Sequence, residues 1–136
     1  MSLRPWLIKP NAEELGELVG TAPAALETAL PMMMQAQSLG AENVLLSLGD
    51  EGAMLLTEGG KVYHAQAVGG FNIMSTVGAG DSLTAGFLAA LEQGMSESAA
   101  LSLAVAAGTA AACNAWLAEK AEIEAILSNV TAEQLQ

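Results

Sequence analysis

Three short segments of this chain carry residue types that handle phosphate. In STVGAGDSLTAGF, Ser75 to Phe87, Gly78 and Gly80 flank Ala79, the carboxylate of Asp81 follows, and an apolar helical pattern begins at once. Glycines there let the backbone fold close to a ligand, so the amides of Ala79, Gly80 and Asp81 can converge on an anion. A helix start suits that task, because its first amides lack internal partners and its dipole favours negative charge. Asp81 beside the anion could take a proton from an attacking hydroxyl as a phosphoryl group is transferred. The same letters fit a tight turn with Asp81 or Ser82 as an ordinary N-cap, and both readings stand at this point. Two other glycine motifs fail: no lysine lies near for a P-loop, and Leu83 stands where a dinucleotide fingerprint needs its third glycine.

The second segment is KPNAEE, Lys9 to Glu14. Asn11 and Glu14 share the first turn of one helix, where they could hold the water shell of Mg²⁺, an ion that keeps several waters and few protein ligands. The identical spacing is a capping box, with Asn11 bonding to an amide one turn on and Glu14 reaching back. Lys9 either reaches the same ligand or snorkels from a strand end. The third segment, SLGDEG, offers Gly49 and Gly52 for close approach to a nucleotide's phosphates and Ser47 as a hydroxyl donor; a plain turn explains it equally well. Asp50 and Glu51 would repel phosphate if turned inward, so both are expected toward solvent.

The elements that must position these segments are legible from patterning. Trp6 to Lys9 reads as a short strand after Met-Ser-Leu, which looks like an added start, and Asn11 caps a helix ending near Gly20. Ala24 to Leu39 gives a second helix despite Pro31. Asn43 to Gly49 reads as a strand buried on both faces, and AMLLT and KVYHAQA, joined by Glu58 to Gly60, as a hairpin. A helix with Leu83, Phe87, Ala90 and Leu91 on its apolar face ends at Gly94, and another runs from Ser96 and Glu97 through ALSLAVAAGTAAAC. LAEKAEIEAILSNV reads as a last amphipathic helix with Ile123, Ile126 and Leu127 inward. The order predicts an α/β fold with a partly parallel sheet, a β-hairpin and packed helices. Each phosphate-handling segment then follows a predicted strand, the end at which open α/β sheets bind ligands.

Composition narrows the function. With 136 residues and 52% hydrophobic content the chain suits one domain with a sizeable core, and no run suggests a membrane span or a leader, so a cytoplasmic protein is expected. A net charge of −11 argues against nucleic acid or an anionic membrane as partner and requires any anion site to be local and backbone-built. Cys113 and His64 are the sole residues of their types, which excludes an internal disulfide and a Cys/His zinc cage. His64 reads as a partly exposed sheet residue, Met32 to Met34 as flexible packing and Cys113 as a small buried hydrophobe.

Taken in order, KPN with its Asn-x-x-Glu pair, SLGDEG, STVGAGDSLTAGF and AVAAGTAAACN make the chain resemble the C-terminal half of the PfkB, or ribokinase-like, family of carbohydrate kinases over nearly its whole length. GAGD is that family's signature. Within the family the wording is most similar to the phosphosugar branch of 1-phosphofructokinase, minor-type 6-phosphofructokinase and tagatose-6-phosphate kinase. Ser75 stands where ribokinase and adenosine kinase more often carry aspartate. The resemblance implies ATP-dependent phosphorylation of a phosphosugar hydroxyl, fructose 1-phosphate favoured, with Asp81 as the base and Gly78, Ala79 and Gly80 as the anion hole. It puts Asn11 and Glu14 on the magnesium and phosphate motif, Ser47, Gly49 and Gly52 on the loop that lines ATP, and Gly108 and Asn114 at the adenine pocket; Lys9, beside the first motif, is set with the nucleotide-binding residues. It also implies that residues 1–136 are a partial domain, because the family's N-terminal half carries most sugar contacts and the lid. The expectations are then a poorly active isolated chain and a bare sheet edge that could drive homo-oligomers. A non-catalytic nucleotide-binding or assembly module of the same fold is the alternative.

Overall fold

Alternation along one strand sets the layers. In the computed structural model, which describes residues 5–20, 26–67, 79–113 and 120–135, β2 (Asn43–Ser47) points Leu45 to one face of the sheet and Val44 and Leu46 to the other. All three are fully buried. Successive strand side chains take opposite faces, so such a strand needs cover on both. On the Val44 and Leu46 side, α1 (Ala12–Val19) contributes Leu15, and α2 (Leu26–Ser38) contributes Ala29, Met32, Met33 and Ala36. On the Leu45 side, α3 (Ala79–Glu92) contributes Leu83, Phe87 and Ala90, and α4 (Glu97–Cys113) contributes Leu101, Ala104 and Val105. The expected α/β layering follows, with apolar burial on both sides of the sheet as its main driving term.

The sheet has five strands in chain order: β1 (Leu7–Ile8), β2, β3 (Ala53–Leu56), β4 (Val62–Ala67) and β5 (Val130–Gln134). β1 and β2 are parallel, and every other pairing is antiparallel. A single 3-10 turn, Gly49–Glu51, leads from β2 into β3. The hairpin between β3 and β4 closes where the Thr57 amide donates to the Lys61 carbonyl at 2.9 Å and the Lys61 amide to Thr57 Oγ1 at 3.1 Å. Pro31 stays within α2 at an exposed position, so the backbone bond it forfeits lies on the solvent side while the apolar face packs. Of the methionine run, Met32 and Met33 pack in the core and Met34 is exposed. Ser96 caps α4, its Oγ accepting from the Ala99 amide at 3.2 Å. No helix among the described residues is long and apolar enough to cross a membrane.

The C-terminal end departs from the expectation. The last helix, α5, is described over Lys120–Leu127, the expected residues 117–119 lying outside the described residues, and Val130, expected as its final turn, opens β5 instead. Ile123, Ile126 and Leu127 are half-buried, as an inward face requires. Asn129 breaks the helix, its amide donating to Ile126 O at 2.8 Å, and the next five residues pair along β4 from Ala67 to Tyr63. The polar TAEQ sequence has little strand propensity of its own; the unpaired edge of β4 supplies the partner that overrides it.

Candidate active site

Two of the three phosphate-handling segments are joined by backbone pairing. The Ser47 amide donates to Pro10 O at 3.0 Å and Asn11 forms a parallel bridge with Ser47, so KPN lies beside the end of β2. The Ser47 hydroxyl also points at Pro10 O, at 3.5 Å. Asn11 then starts α1 with both halves of the capping box: its Oδ1 accepts from the Glu14 amide at 2.7 Å, and Glu14 Oε1 accepts from the Asn11 amide at 2.9 Å. The cap reading is therefore realised, and it holds two exposed oxygen-bearing side chains in fixed register on one helical turn. Asn11→Ala is expected to cost about 1 kcal/mol, measured as a lower urea midpoint at unchanged slope; an unchanged midpoint would mean the box contributes nothing.

The third segment meets the first through a side chain. Lys9 Nζ lies over Gly80, so near that a Cβ built on Gly80 would stand 2.8 Å from it. Gly80 belongs to the first turn of α3, with Ala79 before it and exposed Asp81 after it. The amides of this turn have no carbonyl one turn back within the helix, and Lys9 adds a full positive charge where the dipole already favours an anion. Thr84 Oγ1 donates to Gly80 O at 3.0 Å, tying the turn down from one helical turn later; the four-residue spacing of Gly80 and Thr84 was its only signal in the sequence.

In the SLGDEG loop, Gly49 has φ +63 and Gly52 φ +86. Gly52 is also pressed onto β4: a Cβ there would fall 1.9 Å from Ala65 O. Glu51 is exposed, as expected. His64 corrects the sequence reading, being only 9% exposed, because it sits mid-strand in β4 with its Nε2 donating to Glu51 O at 2.8 Å. Nothing in the sequence paired that histidine with the loop.

Gly108 is buried where α4 crosses the start of α3; a Cβ on it would lie 3.3 Å from both Ala79 O and Leu83 Cβ. Its contact in this structure is thus with the base of the GAGD corner. Gly78, Asn114 and the side chains of Asp50 and Cys113 lie outside the described residues. Among the described residues, no group of three or more His, Cys, Asp or Glu side chains could hold a metal ion. Asn11 and Glu14 still suit an ion that keeps most of its waters, since both are exposed oxygen donors on one turn.

Known proteins share this fold. The family profile for pfkB family carbohydrate kinase matches residues 1–122. The 1-phosphofructokinase of Bacillus subtilis is 37% identical over 133 residues, covering 98% of this chain and 43% of that protein. Phosphofructokinase-2 from Escherichia coli, solved in complex with substrates and products, superposes with a TM-score of 0.82 at 28% identity over 92% of this chain and 41% of its own. Arabidopsis thaliana ribokinase, solved with ribose and ATP, gives a TM-score of 0.80 at 26% identity over 89% and 40%. The chain therefore spans less than half the length of each of these proteins.

Proposed function

This chain belongs to the pfkB family of carbohydrate kinases, and we propose that it is the nucleotide-binding and catalytic-base half of a kinase that moves a phosphoryl group from ATP to a hydroxyl of a phosphosugar. Fructose 1-phosphate is the favoured acceptor, on the identity with 1-phosphofructokinase; fructose 6-phosphate and tagatose 6-phosphate are the other candidates. The observation that carries the reading is the convergence of KPN, the SLGDEG loop and the GAGD corner, with Lys9 Nζ over Gly80.

In this reading Ser47 and the loop from Gly49 to Gly52 line the nucleotide, with Gly108 and Asn114 toward the adenine. The terminal phosphoryl group rests at the first turn of α3, where the amides of Ala79, Gly80 and Asp81 and the Lys9 ammonium face its oxygens. The Asp81 carboxylate accepts the proton of the acceptor hydroxyl while that oxygen bonds to phosphorus. The bond from phosphorus to the β-phosphate oxygen breaks, and ADP leaves with those electrons. Asn11 and Glu14 would hold Mg²⁺ through its water shell, and the ion would offset phosphate charge. The N-terminal part of the longer relatives is where acceptor contacts and water exclusion are expected, so this chain alone should transfer little.

Lys9→Met tests the nucleotide part. It is expected to weaken ATP binding by about 10- to 100-fold, the loss of one charge-assisted contact, and more steeply at low salt than at high. Calorimetry with the 136-residue chain measures this; unchanged affinity, or no ATP binding by the unaltered chain, would contradict the reading.

A further inference from the structure

His64 is the single histidine of the chain, and no step described above uses it. We propose that it is a positioning residue for the nucleotide loop, holding the Gly49–Glu51 turn in the shape that receives ATP; this rests on the nucleotide reading above. The backbone bonds of the turn are Glu51 N to Leu48 O at 3.2 Å, Gly52 N to Gly49 O at 3.1 Å and Leu48 N to Gly52 O at 2.8 Å. To these His64 adds a bond to Glu51 O at 2.8 Å from β4. A carbonyl only accepts, so Nε2 carries the proton. Gly52, the next residue, lies flat against the backbone of Ala65 and Gln66. The loop is therefore clamped to β4 at two consecutive residues, by a close glycine contact and by the imidazole.

Burying an imidazole costs free energy unless its polar atoms find partners. Nε2 has the loop carbonyl. Nδ1 makes no hydrogen bond to the Glu133 carboxylate, 3.9 Å away across the β4–β5 pair, and borders a cavity of about 310 Å³ lined by His64, Gln66, Thr131, Ala132 and Glu133. A purely packing residue at this site needs no such bond; an apolar ring would fill the volume and release the turn. The gain from histidine is thus a fixed Glu51 carbonyl, and through it a fixed path for the amides between Gly49 and Gly52.

The test compares His64→Phe, which keeps the volume and deletes the donor, with His64→Gln, whose Nε2 reaches a similar position. ATP affinity and amide hydrogen exchange at residues 49–52 are measured on the 136-residue chain, together with the unfolding midpoint. The phenylalanine variant is expected to lose about 10-fold in ATP affinity and to lose protection at the Gly52 amide, at a midpoint no lower than that of the glutamine variant. Glutamine is expected to restore affinity to within about threefold of the unaltered chain. Unchanged affinity in the phenylalanine variant would overturn the proposal, as would losses in both variants that simply track their midpoints. If the unaltered chain itself fails to bind ATP, the proposal falls with the nucleotide reading, and that failure is recognised because it precedes any substitution.

Discussion

Asp81→Asn is expected to lower phosphosugar turnover by about 10²- to 10⁴-fold, the usual worth of a general base, while ATP affinity stays within about twofold. The enzyme to measure is this chain reassembled with the N-terminal segment of a 1-phosphofructokinase relative. Asparagine matches aspartate in shape, and the residue is exposed on the first turn of α3, so the fold has no packing reason to respond. The lost charge costs the helix about 0.3 to 1 kcal/mol through its dipole. A residue that only started the helix would therefore move the unfolding midpoint slightly and turnover in proportion. A base moves turnover by orders of magnitude at a nearly constant midpoint. Steady-state kinetics and urea unfolding on the same samples separate the two roles, and turnover within about tenfold of the parent would rule out Asp81 as the base.

Gly52→Ala is expected to destabilise the chain by about 3 kcal/mol or more, since strain and overpacking each cost about 1 to 3 kcal/mol. The backbone there has φ 86 and ψ −129, a region that residues with a Cβ avoid. The added methyl would also meet Ala65 O at 1.9 Å, and a β-strand backbone cannot step aside as a flexible side-chain tip can. Gly49→Ala is the internal control. It too has a positive φ, +63, but nothing lies within 4 Å of its Cβ position, so only the left-handed penalty of about 1 to 2 kcal/mol applies. Urea midpoints give both values, and equal losses at the two positions would show that the clash with β4 is relieved at no cost.

How much of this was legible in the letters depends on the range of the interaction. The elements up to α4 follow from local signals: the Asn11 cap, the Glu58 to Gly60 hairpin turn, the unbroken apolar run of Val44 to Leu46 and the Ser96 cap. β5 was not legible, because Thr131 to Gln134 pattern neutrally and become a strand only against the edge of β4. The candidate site divides the same way. Its residue types could be found within each segment, but the meeting of Lys9 with Gly80 and of Asn11 with Ser47 is a product of strand order. His64 looked bland since its partner is a backbone carbonyl, which leaves no mark on side-chain spacing. Gly108 shows the converse: resemblance puts it at the adenine pocket, and packing gives it a contact with Ala79 and Leu83.

On the function proposed above, this chain brings the nucleotide site and the base to a phosphosugar kinase. The most direct measurement is transfer of labelled γ-phosphoryl from ATP to fructose 1-phosphate, by this chain alone, by the N-terminal segment of a relative alone, and by the two assembled. Label in fructose 1,6-bisphosphate from the assembled pair, with little from either part and none when Asp81 is replaced, is the predicted result. A stable assembly that binds ATP yet labels none of fructose 1-phosphate, fructose 6-phosphate and tagatose 6-phosphate would contradict it, and would leave the chain a nucleotide-binding module without transfer.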